Sequence, residues 1–180
     1  MNSLHFIVGG AVALILFFVA IFGFQPQNEY AKSDFLRIHI RANSNSEIDQ
    51  RVKYQVKSEV VDYLTPYLAE AVDKQSAINI VENHLNEIEN VADIVLDKNG
   101  FDYKCNAEIR KENFPTRQYD DITLKSGIYD ALILELGSGQ GNNWWCVVYP
   151  PLCFVGGVDD GSSNIKYRSK LVEIINNFFD

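Results

Sequence analysis

Basic residues are scarce in this 180-residue chain, where 16 Lys and Arg stand against 24 Asp and Glu and the formal net charge is -8. Such a protein lacks the broad basic face that binds phosphate backbones, so we expect no nucleic-acid partner. Cysteine is also rare, and the three cysteines form no Cys-x-x-Cys pair, which leaves no recognisable ligand set for structural zinc. The 47% hydrophobic content excludes a disordered chain and indicates a globular domain.

The run Gly-Ser-Gly-Gln-Gly at residues 137–141 lacks the context of a phosphate-binding loop. Such loops aim backbone N–H groups at the phosphate from the N-terminus of a helix. Here the following residues, 144–149, read Trp-Trp-Cys-Val-Val-Tyr, which is typical of a strand. We therefore interpret the run as a hairpin turn and expect neither a nucleotide, nor another cofactor, nor a small-molecule substrate.

Charged residues are absent before Glu29, and within residues 4–24 the only ionisable side chain is His5. As a helix, this stretch would be about 31 Å long, enough to cross a hydrocarbon core of about 30 Å. We predict a transmembrane or signal-anchor helix in residues 1–24, then a linker at 25–35 and an exported domain. A cleaved signal peptide and a buried soluble helix are the alternatives.

Periodicity predicts an α+β domain over residues 36–155. Residues 36–41 alternate apolar and polar side chains, as in a strand with one buried face. Apolar spacings of three and four then predict two helices, one over about 46–66 and one over about 73–99. A period of two returns from Tyr103 onwards. We therefore expect a mainly antiparallel sheet, joined by short hairpins and covered by the two helices.

The end of the chain, residues 156–180, is predicted to be a flexible linker followed by a short amphipathic helix. Residues 156–163 read Gly-Gly-Val-Asp-Asp-Gly-Ser-Ser, which is a linker composition. Residues 167–179 carry apolar side chains at helical spacing. We expect this helix to dock on its own domain, with docking on a membrane surface or a partner as the alternatives.

Two cysteines, Cys146 and Cys153, flank Pro150-Pro151, and a chain reversal at the prolines could bring them to disulfide distance. An exported domain permits such a bond. Buried free thiols are one alternative. Catalysis is another, with Cys146 as nucleophile and His39 as its base. Because His39 lies on the polar side of the first strand, we expect it to be a solvated surface histidine instead.

Two segments carry a resemblance to a known family. The first is residues 41–46, Arg-Ala-Asn-Ser-Asn-Ser, followed by Asp49, Gln50 and Lys53. The second is residues 143–154, Asn-Trp-Trp-Cys-Val-Val-Tyr-Pro-Pro-Leu-Cys-Phe. Over residues 36–154 the chain resembles stage II sporulation protein R.

That resemblance implies an exported signalling protein of sporulation that is not itself an enzyme. Such a protein is made in the forespore and is membrane-anchored or secreted in the space between the forespore and mother-cell membranes. There it activates a membrane-embedded aspartic protease of the mother cell, of the stage II sporulation protein GA type, which processes the precursor of sigma factor E. The expected partners are this protease and, through residues 4–24, a membrane.

No catalytic or metal-binding residue follows from the resemblance, so the matched residues are candidates for partner contact. Adjacent side chains on a strand point to opposite faces, so at least one indole of Trp144-Trp145 is expected to be exposed and able to anchor an interface. An extracytoplasmic thiol hydrolase using Cys146 and His39, or a membrane-tethered structural domain, is the alternative. The candidate partner surface comprises Asn43, Ser44, Asp49, Gln50, Lys53, Trp144 and Trp145.

Overall fold

The computed structural model describes residues 34–119 and 122–152. The predicted membrane helix, Cys153 and the predicted C-terminal helix lie outside these residues. Within them, no helix is both long and apolar enough to cross a bilayer. The elements are β1 (Leu36–Arg41), α1 (Glu47–Leu68), α2 (Lys74–Asn83), α3 (Leu85–Lys98), β2 (Cys105–Phe114), β3 (Arg117–Tyr119), β4 (Ile122–Leu124), β5 (Gly127–Leu136) and β6 (Asn143–Tyr149).

The main sheet has four strands in the order β2-β5-β1-β6, and β3 and β4 form a separate antiparallel pair. This order confirms the α+β class, but the sheet is mixed. Strand β1 runs parallel to β5 and antiparallel to β6. Because β1 lies between β5 and β6, the glycine-rich loop joins two strands that are not neighbours. The predicted hairpin at residues 137–141 is therefore wrong.

Strand β1 is buried on both of its faces. The apolar side chains Leu36, Ile38 and Ile40 are fully buried, as the alternation predicts. However, Arg37 is also fully buried and His39 is only 4% exposed. The prediction of a solvated His39 is wrong, because β1 has a strand on each edge and side chains packed against its polar face as well.

The helical segment contains three helices instead of the predicted two. Helix α1 begins after Ser46, whose hydroxyl accepts a hydrogen bond from the backbone N–H of Asp49 at 3.2 Å. It continues past Pro66 to Leu68, whose side chain is 2% exposed, so apolar packing retains the last turn.

The second predicted helix is divided at His84, whose backbone leaves the helical region at φ -112 and ψ 10. The His84 ring shares a hydrogen bond of 2.7 Å with the Tyr63 hydroxyl on α1. This contact with α1 lies at the break between α2 and α3, where apolar periodicity alone predicts one continuous helix. The predicted stop near Gly100 is confirmed, since Gly100 has φ +77 and α3 ends at Lys98.

The helices pack on the apolar face of the sheet, and this layer contains the main core. Burying apolar side chains supplies most of the folding free energy, at about 25 cal/mol for each Å² removed from water. The other face carries charged and aromatic side chains, with contacts to the β3–β4 pair. Core residues contributed by the helices and the sheet include Val52, Val56, Val60, Leu64, Ile88, Leu96, Ile38, Ile40, Leu132, Leu134 and Cys146.

Candidate functional site

The turn between β1 and α1 is organised around the carboxylate of Asp49, which is only 5% exposed. One carboxylate oxygen accepts hydrogen bonds from the Ser44 hydroxyl and, at 3.2 Å, from the Asn43 side-chain amide. The other accepts a hydrogen bond of 2.6 Å from the Tyr103 hydroxyl. We call Asn43, Ser44, Asp49 and Tyr103 the Asp49 cluster. Three donors to one buried carboxylate fix the turn against the start of the helix.

The Asp49 cluster keeps its carboxylate ionised despite burial. Burial by itself raises the pKa of Asp49, but hydrogen bonds from Ser44, Tyr103 and Asn43 together outweigh it and hold the pKa below its usual range. In turn, burial and the hydrogen bond to Asp49 raise the pKa of Tyr103. The pair is therefore a phenol donating to a carboxylate at neutral pH, and neither group is poised for proton transfer.

The lowered pKa of Asp49 predicts a specific loss of stability in acid. Its contribution is fully present above the unfolded-state pKa of about 4 and is lost as pH falls through the lower folded-state pKa. We expect urea unfolding midpoints of the natural chain to fall more steeply below about pH 4 than those of Asp49→Asn, which has no charge to titrate. Parallel midpoint curves for the two proteins would contradict this prediction.

Lys53 lies one helical turn beyond Asp49 and is 1% exposed. Its ammonium donates to the Gln50 side-chain oxygen at 2.8 Å and to the backbone carbonyl of Asn142 at 3.0 Å. Gln50 in turn donates to the Ser44 carbonyl at 2.8 Å. Burial lowers the pKa of Lys53. Both acceptors of the Lys53 ammonium are neutral, and one of them belongs to the loop between β5 and β6.

The glycine-rich loop is bonded directly to the β1–α1 turn. The Ser138 backbone N–H and hydroxyl donate to the side-chain and backbone oxygens of Asn43, at 2.9 and 2.7 Å. The Asn142 N–H donates to the Asn45 side chain at 2.7 Å. At Gly141, a Cβ atom would lie 2.2 Å from the Ser44 carbonyl oxygen. The loop therefore needs glycine there so that two backbones can approach closely.

The two tryptophans lie on opposite faces of β6. Trp144 is partly buried on the helix side, where the Lys57 ammonium lies 5.8 Å from its ring. Trp145 lies on the polar face, where its ring stacks on His39 with centroids 5.3 Å apart. The structure thus brings five of the predicted residues together, Asn43, Ser44, Asp49, Gln50 and Lys53, but separates the two indoles.

The proposed catalytic pair of Cys146 and His39 is not assembled. In the strand register, Cys146 lies opposite Ile38, whereas His39 lies opposite Trp145. The two side chains therefore point to opposite faces of the sheet, and the Cys146 thiol is buried in the core at 6% exposure. Cys146 forms no disulfide with Cys105, the other cysteine that the structure describes. Because Cys153 lies outside the described residues, a disulfide between Cys146 and Cys153 stays a prediction.

Several residues of this site were missed by sequence reasoning. Tyr103 and the loop residues Ser138 and Asn142 are far from the turn in sequence, so no local pattern shows their contacts. An ionic network on the polar face could have been found, because β1 and β2 both carry charges at every second residue. Its ion pairs join Arg41 to Glu112 and Glu135, and Arg110 to Glu108, Glu112 and Glu135.

Comparisons with known proteins give a consistent result. The family model described as stage II sporulation protein R matches residues 32–159. A protein of Bacillus subtilis (strain 168) named "Stage II sporulation protein R" is 33% identical over 120 residues, which cover 67% of this chain and 54% of that protein. The chain thus spans about half the length of this curated relative. No solved structure matches the chain significantly.

Proposed function

Because the chain belongs to the stage II sporulation protein R family and so has a role in sporulation, we propose that it is an exported signalling protein. It activates a membrane-embedded aspartic protease of the mother cell, of the stage II sporulation protein GA type. The protease then processes the precursor of sigma factor E. The protein acts in the space between the forespore and mother-cell membranes, either anchored through residues 4–24 or released.

The main support for a binding function is that residues carrying the family resemblance form hydrogen bonds within the protein itself. Asp49 and Lys53 are buried and fully engaged with the turn and the glycine-rich loop. Such a network holds a surface rigid and supplies no activated nucleophile. An activator needs only a rigid surface that fits its target. It shifts the target's conformational equilibrium by binding the active state more tightly than the inactive one.

The proposed contact surface consists of the β1–α1 turn, the first turn of α1 and Trp144. Ile48, in that first turn, is 58% exposed although it is apolar. Trp144 is partly buried beside Lys57. Rigid aromatic and aliphatic anchors surrounded by polar groups are typical of the energetic centre of an interface. Asp49 and Lys53 position this surface from beneath, and Trp145 is not part of it.

Reconstitution of the protease with the sigma factor precursor tests the proposal. We expect processing to depend on the added chain, and Trp144→Ala to raise the half-maximal concentration about thirtyfold, since truncating an anchoring Trp commonly costs about 2 kcal/mol. Ile48→Ala should raise that concentration about fivefold. The matched control is Val72→Ala, because Val72 is 82% exposed but distant in sequence from the surface, and it should leave processing unchanged.

Each variant is first confirmed to be folded by circular dichroism and thermal unfolding. Processing that proceeds without the added chain would contradict the proposed function. Processing that depends on the chain but is equally sensitive to Ile48→Ala, Trp144→Ala and Val72→Ala would refute only the proposed surface. Loss of processing in a folded Cys146→Ser variant would favour thiol chemistry.

A further inference from the structure

Strand β2 lies at one end of the main sheet, so only one of its two edges is paired with another strand of that sheet. At the start of the strand, the Cys105 N–H points away from β5 and donates to the Asp93 carboxylate at 2.8 Å. The Ala107 N–H donates to the Glu89 carboxylate, also at 2.8 Å. Both carboxylates belong to α3. Helix α3 therefore covers the outer edge of β2 at its first residues.

The remainder of this outer edge has no such partners. Backbone groups alternate in direction along an antiparallel strand, so the outward set that begins at Cys105 and Ala107 continues at Ile109, Lys111 and Asn113. Within residues 34–119 and 122–152, nothing forms a hydrogen bond with the outward backbone groups of these last three residues. Lys111 and Asn113 are exposed. About 14 Å of strand edge is thus open to pairing.

The side chains along the open edge are apolar and basic in turn. Ile109 lies opposite Leu132 and is only partly buried against the core. Lys111 lies opposite Asp130, but the Asp130 carboxylate is bonded to Lys74 at 2.7 Å. No ion pair joins Lys111 to any carboxylate in the described part of the chain. A strand added here would therefore gain most from an apolar residue beside Ile109 and an acidic residue beside Lys111.

A second copy of β2 is a poor occupant of this edge. The antiparallel register that pairs all three outward residues with their copies would place Lys111 directly opposite Lys111. Like charges in that position are destabilising, and lysine on an edge strand is a common protection against self-pairing. A strand from another protein that carries a carboxylate at that position would form an ion pair instead.

We propose that residues 109–113 of β2 bind an extended segment of a partner protein, which adds a fifth strand to the main sheet. Backbone hydrogen bonds supply the affinity in this mode of recognition, and alternate side chains supply the specificity. Here the specificity is for an acidic residue opposite Lys111 with an apolar neighbour two positions away. The site is separate from the proposed protease contact, because β2 and β6, which carries Trp144, are the opposite ends of the sheet.

Titration of the isotope-labelled full chain with a synthetic peptide tests the site. The probe is the blocked seven-residue peptide Thr-Val-Thr-Glu-Thr-Val-Thr, whose valines and glutamate share one face when it is extended. In nuclear magnetic resonance spectra, we expect the amide signals of Ile109, Lys111 and Asn113 to move and to saturate. The amide signals of Cys105 and Ala107 are the internal control, because these groups are already bonded to α3 and should stay in place.

Two altered peptides separate strand addition from general adhesion. N-methylation of the valines and the glutamate removes the N–H groups that face β2, and should weaken binding at least about tenfold, whereas N-methylation of the inner threonines should not. Replacing the glutamate by lysine should weaken binding about fivefold, because it places a like charge opposite Lys111.

The variant Lys111→Glu should reverse the preference between the two charged peptides, so that the lysine peptide binds more tightly. Lys98→Glu is the matched control. It makes the same change of net charge at an exposed position on α3, and should keep the preference of the natural chain.

An absence of signal movement at millimolar peptide would overturn the proposal. So would equal movement at Cys105 and Ala107, or binding that is insensitive to N-methylation. Signals of residues 109–113 that move with chain concentration alone would identify a second copy as the occupant and would also overturn it. The natural chain and the altered peptides decide the outcome even if Lys111→Glu fails to fold. Because no measurement uses the protease, a failure here is distinguishable from a failure of the proposed function.

Discussion

Asp49→Ala is expected to lower the free energy of unfolding by about 4 kcal/mol, the cost of breaking a buried and fully bonded charge network. The substitution leaves the hydroxyl of Tyr103, the hydroxyl of Ser44 and the amide of Asn43 without their common acceptor. Two of these groups belong to the turn that holds the glycine-rich loop, so the loss should spread beyond α1. Urea unfolding followed by circular dichroism measures the effect.

The matched control is Asp62→Ala on the same helix. Asp62 is exposed, so its removal should change the free energy of unfolding by no more than about 0.5 kcal/mol. The isosteric Asp49→Asn should lose an intermediate amount of unfolding free energy. Its amide keeps one oxygen acceptor, but its NH₂ group faces neighbouring groups that are themselves donors. Equal stability of Asp49→Ala and Asp62→Ala would show that the Asp49 cluster has no structural role.

Gly141→Ala is the second variant with a large expected effect, a loss of about 3 kcal/mol or failure to fold. The added Cβ would lie 2.2 Å from the Ser44 carbonyl oxygen and 2.6 Å from its carbon, both backbone atoms. Neither can rotate away as a flexible side chain would. The backbone itself must move, and the 2.7 Å hydrogen bond from the Gly141 N–H to the Ala42 carbonyl would be stretched.

Gly100→Ala provides the comparison for Gly141→Ala, because the two glycines are required for different reasons. Gly100 has φ +77, a left-handed conformation that costs alanine about 1 kcal/mol, but no atom lies within 4 Å of a Cβ placed there. We therefore expect a smaller loss of stability at Gly100. If thermal unfolding instead ranks Gly100→Ala as the more damaging change, the close backbone approach at Gly141 is not a constraint.

The sequence predicted those features whose causes are local. The apolar side of α1 and the end of the helical segment near residue 99 depend on neighbours within a few residues, and both are present. The structure places Cys146 in the core, whereas its pairing with Cys153 stays a prediction.

Features that depend on distant residues were not predictable in this way. Whether the polar side of β1 is solvated depends on β2, β3 and β6, and so Arg37 and His39 are buried where alternation predicts exposure. The same limit applies to Asp49, since its bond to Tyr103 joins residues 54 positions apart. That Trp144 and Trp145 lie on opposite faces of the strand was predictable, but which indole lies on the helix side of the sheet was not.

The central position of β1 also has a consequence for the order of folding. Strand β1 pairs with β5 and β6, and the bonded side chains of Arg41 on β1 and Glu135 on β5 are 94 residues apart in the sequence. Contacts of such long range slow folding, because the intervening chain must be ordered before they form. The sheet cannot close until β6 is available. A chain threaded N-terminus first through a membrane would therefore remain unfolded, and suited to translocation, until nearly all of this domain had crossed.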